Sequence, residues 1–178
     1  MTSPIAAIAH DDLRACIRVA GAPELFEGTL AENLRAGRDT ITADDMVRAL
    51  TLVELDDVFF ADGKAGLQTH ILPYGAVPIH MMRLLMIARA VLSNPSILAI
   101  DGALDGIEPE LAVRIVRRLA DLSGTLLVVT SNKAVCDTLT RRLGLAPASE
   151  PNDPDGDPSA SPTKPKVELK SKKRGKKR

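Results

Sequence analysis

Arg89-Ala90-Val91-Leu92-Ser93-Asn94-Pro95-Ser96-Ile97-Leu98-Ala99-Ile100-Asp101 runs from the end of an apolar helix, through a proline-marked turn, into a short apolar strand that closes on an aspartate. A run of four apolar residues after a proline and before an acid is the pattern of a central parallel strand, covered on both faces. The fold follows from what lies on either side of it.

Upstream, His80 to Leu92 has too few polar breaks for a surface helix, so a largely buried one is expected. Downstream, Glu108 to Ala120 carries Leu111, Ile115, Val116 and Leu119 on one face and Arg114, Arg117 and Arg118 elsewhere, with Gly124 after it. That spacing predicts an amphipathic helix with a glycine-marked end. Thr125 to Thr130 reads as a second strand, and Lys133 to Leu143 as a helix ending at Gly144. Strand, helix, strand, helix implies a parallel βαβ unit and an α/β fold.

Nearer the N-terminus, the alternation from Leu13 to Ala20 predicts a short strand interrupted by Gly21-Ala22-Pro23. Gly28 to Leu34 reads as a helix start that Gly37 would stop. Thr42-Ala43-Asp44-Asp45 is a helix N-terminus with a threonine cap and acids in the first turn, followed by Met46, Val47, Leu50, Val53 and Leu55 at helical spacing. Residues 61–78, rich in Gly and Pro, form a loop-rich crossing.

The chain has 178 residues, 45% of them hydrophobic, enough for one domain with a sizeable core and a tail. Three Phe, one Tyr and no Trp leave Leu, Ile, Val, Ala and Met to build that core, which suits α/β layers better than an all-β sandwich. The formal charge of zero hides an asymmetry. Residues 1–144 hold 14 Lys and Arg against 18 Asp and Glu, whereas residues 145–178 hold 9 against 5. The Pro, Ser, Asp and Lys-rich tail cannot bury enough apolar surface to order itself, so disorder is expected there. Cys16 and Cys136 stand among apolar residues without metal spacing and read as buried thiols in a reducing, cytoplasmic setting. The N-terminus lacks a basic leader, and no run approaches the roughly 18 apolar residues of a spanning helix.

Three ordered segments resemble the nucleotide-binding domain of ATP-binding-cassette (ABC) transporters, most closely the exporter type. Pro23-Glu24-Leu25-Phe26-Glu27-Gly28-Thr29-Leu30-Ala31-Glu32-Asn33-Leu34 is similar to the family's L-F-x-G-T-I-x-E-N-I after the Q-loop. Ile87 to Pro95 is similar to its I-A-R-A-L-L-x-x-P, and Asp101 to Glu110 lines up without a gap against D-E-A-T-S-A-L-D-P-E. The resemblance spans about residues 4–143 and implies a partial P-loop NTPase-like parallel sheet with a helical subdomain. It divides the chain into a helical subdomain around residues 20–92, a core over 93–144 and the basic tail over 145–178.

The same alignment predicts a degenerate domain truncated before the Q-loop. The G-x-x-x-x-G-K-[ST] loop whose amides and lysine cradle phosphates occurs nowhere in the sequence, so the Walker A half is lacking. Gly21 stands at the Q-loop glutamine, Gly102 at the catalytic glutamate and Ser131 at the switch histidine, and the L-S-G-G-Q signature falls on Val77 to Met82 without its serine or its glycine pair. Asp101 keeps the Walker B aspartate and Glu108 takes the D-loop aspartate position, a nucleotide or magnesium remnant. Phosphoryl transfer needs metal, cradle and oriented water together, so the resemblance implies no hydrolysis of ATP.

The segment from Leu25 to Leu34 lies, in the family, where the helical subdomain meets the membrane subunit, which makes Leu25, Phe26, Thr29 and Asn33 candidate docking residues for that subunit or a second cassette. Two other readings stand beside a docking role. A separate Walker A polypeptide would complete a composite magnesium ATP site around Asp101, since an incomplete sheet exposes an apolar face or an open edge. A nucleic-acid role would use Lys170 to Arg178, where no aromatic stacking residue is at hand. The plain alternatives are an acid at a strand end for Asp101, core packing for Met81, Met82 and Met86, and a packed or half-exposed His80. His10 and His70 carry no ligand pattern.

Overall fold

The structure, a computed structural model, describes residues 16–72, 77–122, 124–144 and 169–171. In chain order these form β1 (Ile17–Ala20), β2 (Gly28–Thr29), α1 (Leu30–Arg35), α2 (Ala43–Leu52), α3 (Asp56–Phe60), a 3-10 turn (Gly66–Gln68) and β3 (His70–Ile71). They continue with α4 (Ile79–Val91), β4 (Ile97–Asp101), α5 (Pro109–Leu122), β5 (Thr125–Val129), α6 (Lys133–Thr138), β6 (Arg141–Leu143) and β7 (Leu169–Ser171). The chain divides into two units after Cys136.

The strand expected after Pro95 is the centre of the first unit. β4 pairs in parallel with β1 on one side, Ile17 opposite Ile97 through Ala20 opposite Ile100, and with β5 on the other, Ile97 opposite Thr125 through Asp101 opposite Val129. The mixed α/β architecture with a parallel three-stranded sheet is therefore as the sequence implies. Strand period two sends alternate residues to opposite faces. Ala20, Leu98 and Ile100 are buried on one face with Ile115, Val116 and Leu119 of α5 in the core. On the other face, Val19, Ala99 and Leu127 form one cross-strand row, and Val19, Leu127 and Val129 are 63%, 55% and 53% exposed. Among the described residues, one face of the sheet is thus packed and the other carries apolar side chains into solvent.

α4 packs on β1 and β4 and on the small helices α1 and α2. α2 starts with the cap read from the sequence: the Thr42 hydroxyl accepts from Asp45 N at 3.2 Å, and an Asp45 carboxylate oxygen accepts from Thr42 N at 3.0 Å. Together they satisfy amides that the helix leaves unpaired. The helix ends at Leu52, earlier than Val53 and Leu55 suggested, yet both of those side chains are buried. Glu54 turns the chain between them in a left-handed conformation, φ 57°.

Three expectations need correction, and a fourth lies partly outside the described residues. Of the strand expected from Leu13 to Ala20, Ile17–Ala20 is described as strand and residues 13–15 lie outside the described residues. α4 is buried only from Leu84; Ile79 is half exposed and His80 exposed, because an apolar run does not by itself find a covering layer. The helix expected from Lys133 to Leu143 stops at Thr138: Val135 is its one buried side chain, too narrow a stripe to hold a longer helix. Arg141–Leu143 is instead strand β6, paired antiparallel with β7 in the second unit, so part of the tail expected to be disordered is a strand. The rest of that expectation lies outside the described residues.

Candidate functional site

Two places carry the residues that the sequence singled out: the ends of β4 and β5, and the segment that leads into α1.

At the strand ends, Asp101 closes β4 with its side chain exposed. Gly102 follows at φ 64°, a left-handed conformation that side chains adopt at a cost, and its N–H donates to Val129 O at 3.0 Å. The turn continues with Asp105 N donating to Gly102 O at 3.0 Å. Gly21, at the end of β1, has no such commitment, and a Cβ there would meet its nearest neighbours, Asp101 O and Val19 Cγ1, at 4.0 Å. Glu108 is spent on the helix that follows: its two carboxylate oxygens accept from Glu110 N at 3.1 Å and Leu111 N at 2.7 Å, the work of an N-cap.

Asp105, which sequence reasoning passed over, ties the two strand ends together. One oxygen of its carboxylate accepts from the Thr130 hydroxyl at 2.5 Å and from Ser131 N at 3.0 Å. Ser131, which the sequence resemblance set at the switch position, is thereby held by its backbone. Arg83 of α4 donates to the Asp105 carbonyl, which brings the loop under a helix as well. Nothing local in the sequence marks the pairing, because 25 residues separate aspartate and threonine. Among the described residues no group of three His, Cys, Asp or Glu side chains comes together as a metal site. On this chain alone the strand ends do not fit magnesium ATP: Asp101 offers one solvent-facing carboxylate, while those of Glu108 and Asp105 are occupied by backbone and hydroxyl donors.

The segment before α1 is built differently. Asn33 is 1% exposed, and its side chain receives Phe26 N at 3.0 Å while donating to Phe26 O at 2.9 Å and Thr29 O at 3.1 Å. A buried amide that gives and receives in this way fixes the loop as a sheet partner would. Arg89 of α4 anchors it from beneath, donating to Asn33 O at 2.7 Å and Glu24 O at 2.9 Å. Thr29 and Glu32 form a second capping box, with Thr29 N to the Glu32 carboxylate at 2.6 Å and Glu32 N to the Thr29 hydroxyl at 3.1 Å. The Thr29 backbone and hydroxyl donors hold the Glu32 carboxyl below its usual range. Of the four candidate docking residues, Phe26 is 45% exposed, Leu25 and Thr29 are half-buried, and Asn33 lies beneath the surface. Asn33 therefore shapes this surface from behind and presents nothing to a partner directly.

The cysteines differ from expectation. Cys16 is exposed just before β1, and Cys136 is half-buried, its thiol 3.8 Å from Thr130 O. Both are free. Met86 is buried as expected of a core methionine, while Met81 and Met82 are half-buried on the outer turn of α4. Among the described residues no helix is long and apolar enough to cross a membrane.

Comparison with known proteins follows the same lines. Over 120 residues, 66% of this chain and 19% of the relative, the sequence is 32% identical to the fatty acid ABC transporter ATP-binding/permease protein of Mycobacterium tuberculosis. It is 32% identical over 99 residues, 55% of this chain and 16% of the relative, to the uncharacterized ABC transporter ATP-binding protein YknV of Bacillus subtilis. A third match, 33% identical over 89 residues, covers 49% of this chain and 11% of the ABC multidrug transporter mdr2 of Aspergillus fumigatus. In each case the chain spans less than a fifth of the relative's length. The backbone is similar to a bacterial Atm1-family ABC exporter solved with ATP bound, with a TM-score of 0.61 and 22% identity over 75% of this chain and 24% of that one, a likeness of fold. No protein-family model matches the chain.

Proposed function

We propose that this chain, whose homologues are ATP-binding proteins of ABC transporters, is a catalytically degenerate ABC transporter ATP-binding subunit or remnant that docks to a transporter or cassette partner without itself hydrolysing ATP. The homologous relationship makes the transporter setting the starting point, and the residues decide what remains of it. One observation carries the reading: the segment from Leu25 to Leu34 keeps a complete internal frame around Asn33 and Arg89, while the strand ends have given their polar groups to turn and cap bonds. A frame that holds Phe26 at the surface supports a contact role, since an exposed aromatic on a fixed loop gains a partner at little cost in ordering. The partner in this reading is the membrane subunit or a second cassette. The chain would work in the cytoplasm and reach the membrane only through that partner.

The test has two arms. With magnesium ATP, the purified full chain releases no phosphate above blank. A photo-crosslinker placed at Phe26 in cells captures a transporter subunit, whereas one at Val58, comparably exposed, does not. Steady ATPase activity that follows the folded protein and vanishes in Asp101→Ala would overturn the catalytic half of the proposal, and equal capture from both positions would overturn the docking half.

A second reading is supported by the open sheet. The row through Val19, Ala99 and Leu127, with Val129 beside it, is the kind of apolar face that a further polypeptide would cover, and β5 is an edge strand. A separate polypeptide with a phosphate loop, laid on this face, would bring magnesium ATP toward Asp101. Thermal unfolding separates the two: a midpoint raised by magnesium ATP only when such a polypeptide is present speaks for the composite site, and indifference speaks for docking alone.

A further inference from the structure

The fold gathers three arginines that the sequence scatters. Arg18 on β1, Arg38 after α1 and Arg89 on α4 line one cleft of about 440 Å³, together with Ser93 and a single acid, Glu24. A volume of that size lies within the roughly 300 to 1,000 Å³ typical of small-molecule sites. Elsewhere the arginines Arg48, Arg114, Arg118 and Arg142 each pair with a carboxylate. The three in the cleft do not: their hydrogen-bond partners are backbone carbonyls, the Asn33 amide oxygen and the Ser93 hydroxyl. Those neutral acceptors orient the guanidinium groups without cancelling their charge, and Glu24, whose charge acts on Arg89, is the one acid in the cleft. Burial, and then the charges of Arg18 and Arg89, push the Arg38 guanidinium below its usual pKa, so the folded protein is holding like charges together at a cost.

Two of the three converge on one oxygen. Arg18 donates from Nε to Ser93 Oγ at 3.1 Å, and Arg38 donates to the same atom from Nη1. Two guanidinium forks meeting at an oxygen is the geometry by which arginines grip a phosphoryl group, and three positive charges against one glutamate leave a surplus of two, matching a phosphate dianion better than a single carboxylate. We propose that the Arg18, Arg38, Arg89 and Ser93 cleft binds a phosphoryl dianion, as free phosphate or as the phosphate of a small ester. The cleft borders the end of β4 through Gly21, where a Cβ would lie 4.0 Å from Asp101 O, and its assignment does not rest on the docking reading.

The full chain is tested by thermal unfolding in inorganic phosphate against chloride at matched ionic strength, with the linewidth of the phosphate phosphorus resonance as a second readout. Phosphate raises the midpoint and broadens the line; glycerol 3-phosphate against glycerol then distinguishes an ester from the free anion, tighter binding of the ester assigning the rest of the cavity to its organic part and equal binding assigning the site to phosphate. Arg18→Gln leaves the bracing bonds of Arg38 and Arg89 in place and weakens apparent affinity by about tenfold or more, the loss of one charge-assisted contact. Ser93→Asp sets an internal carboxylate between the two guanidinium groups, raising the midpoint without phosphate and abolishing the response to it. A response no larger than that to chloride overturns the proposal. So does an unchanged response in both variants, which would assign the binding to the lysine-rich tail.

Discussion

The segment from Leu25 to Leu34 and the ends of β4 and β5 are both loops next to helix starts, and both resemble functional parts of one family, yet they spend their polar groups in opposite ways. In the first, polar atoms are turned inward, Asn33 to the backbone of Phe26 and Thr29 and Arg89 to the backbone of Asn33 and Glu24, so that Phe26 is held outward. In the second, the groups that would face a nucleotide are absent or occupied: Gly102 makes a turn, Glu108 caps α5 and Asp105 holds Thr130 and Ser131. Under the proposed docking role a contact surface needs its frame, whereas a turn without chemistry to do settles into the most stable local bonding. Such a division is what the proposed docking role without hydrolysis would leave behind.

The comparison breaks most easily at Asn33. Asn33→Leu keeps the branching of the side chain and removes the amide, leaving Phe26 N, Phe26 O and Thr29 O without their side-chain partner in a half-buried place. The expected loss is about 2 to 4 kcal/mol, read as a lower denaturant midpoint, together with loss of crosslinking from Phe26. If Asn33→Leu is as stable as the parent, the frame is not what fixes this segment and the contrast between the two loops fails.

Gly102→Glu sharpens the other side, because it restores the residue type that the family resemblance places there. At φ 64° a side chain is strained by about 1 to 2 kcal/mol, and the peptide that bonds Val129 O must keep its place for the β4 to β5 join to hold. The variant is expected to unfold earlier and to gain no phosphate release with magnesium ATP. Gly21→Gln, where a Cβ meets nothing nearer than 4.0 Å, is the matched control and is expected to leave stability unchanged. Gain of hydrolysis in the Gly102→Glu, Gly21→Gln double variant would show that the catalytic rim is dormant, not dismantled.

The sheet could be read from the sequence because its signals are local: an apolar run after Pro95, a second one after Gly124 and an amphipathic helix between them fix a parallel pair, and the pair is there. The Thr42 cap was equally visible, since a capping box spans four residues. What escaped reading was long-range or conditional. Arg18, Arg38 and Arg89 form a cleft only because β1, α1 and α4 pack together, and Asp105 reaches Thr130 only because β4 and β5 end side by side. β6 was hidden for another reason: Leu139 and Leu143 continue a helical spacing, but Leu143 is 61% exposed, so the spacing has no core to serve.

The smallest expected effect tests whether the strand-end region, through α5, is mechanically joined to the turn after α2. Glu54, in its left-handed turn after α2, accepts from Arg114 of α5 at 2.9 and 2.8 Å and pairs with Arg118 at 3.0 Å, so one carboxylate ties the turn after α2 to the helix that Glu108 caps. The Arg114 hydrogen bonds, more than the net charge around them, hold the Glu54 carboxyl below its usual 4.5. A lowered folded-state pKa means that this group's contribution is fully present above about pH 4.5, the unfolded value, and is lost as pH falls through the lower folded value. All three side chains are partly solvent-exposed, at 30% to 48%, so water and salt screen most of the attraction. Glu54→Gln is therefore expected to lower the thermal midpoint at pH 7 only slightly, and to converge with the parent as pH falls through the lowered folded-state value and the parent carboxylate is itself protonated. A variant indistinguishable from the parent throughout would mean that the turn at Glu54 is held by the burial of Val53 and Leu55 alone, and that the ion pair transmits nothing between the turn after α2 and α5.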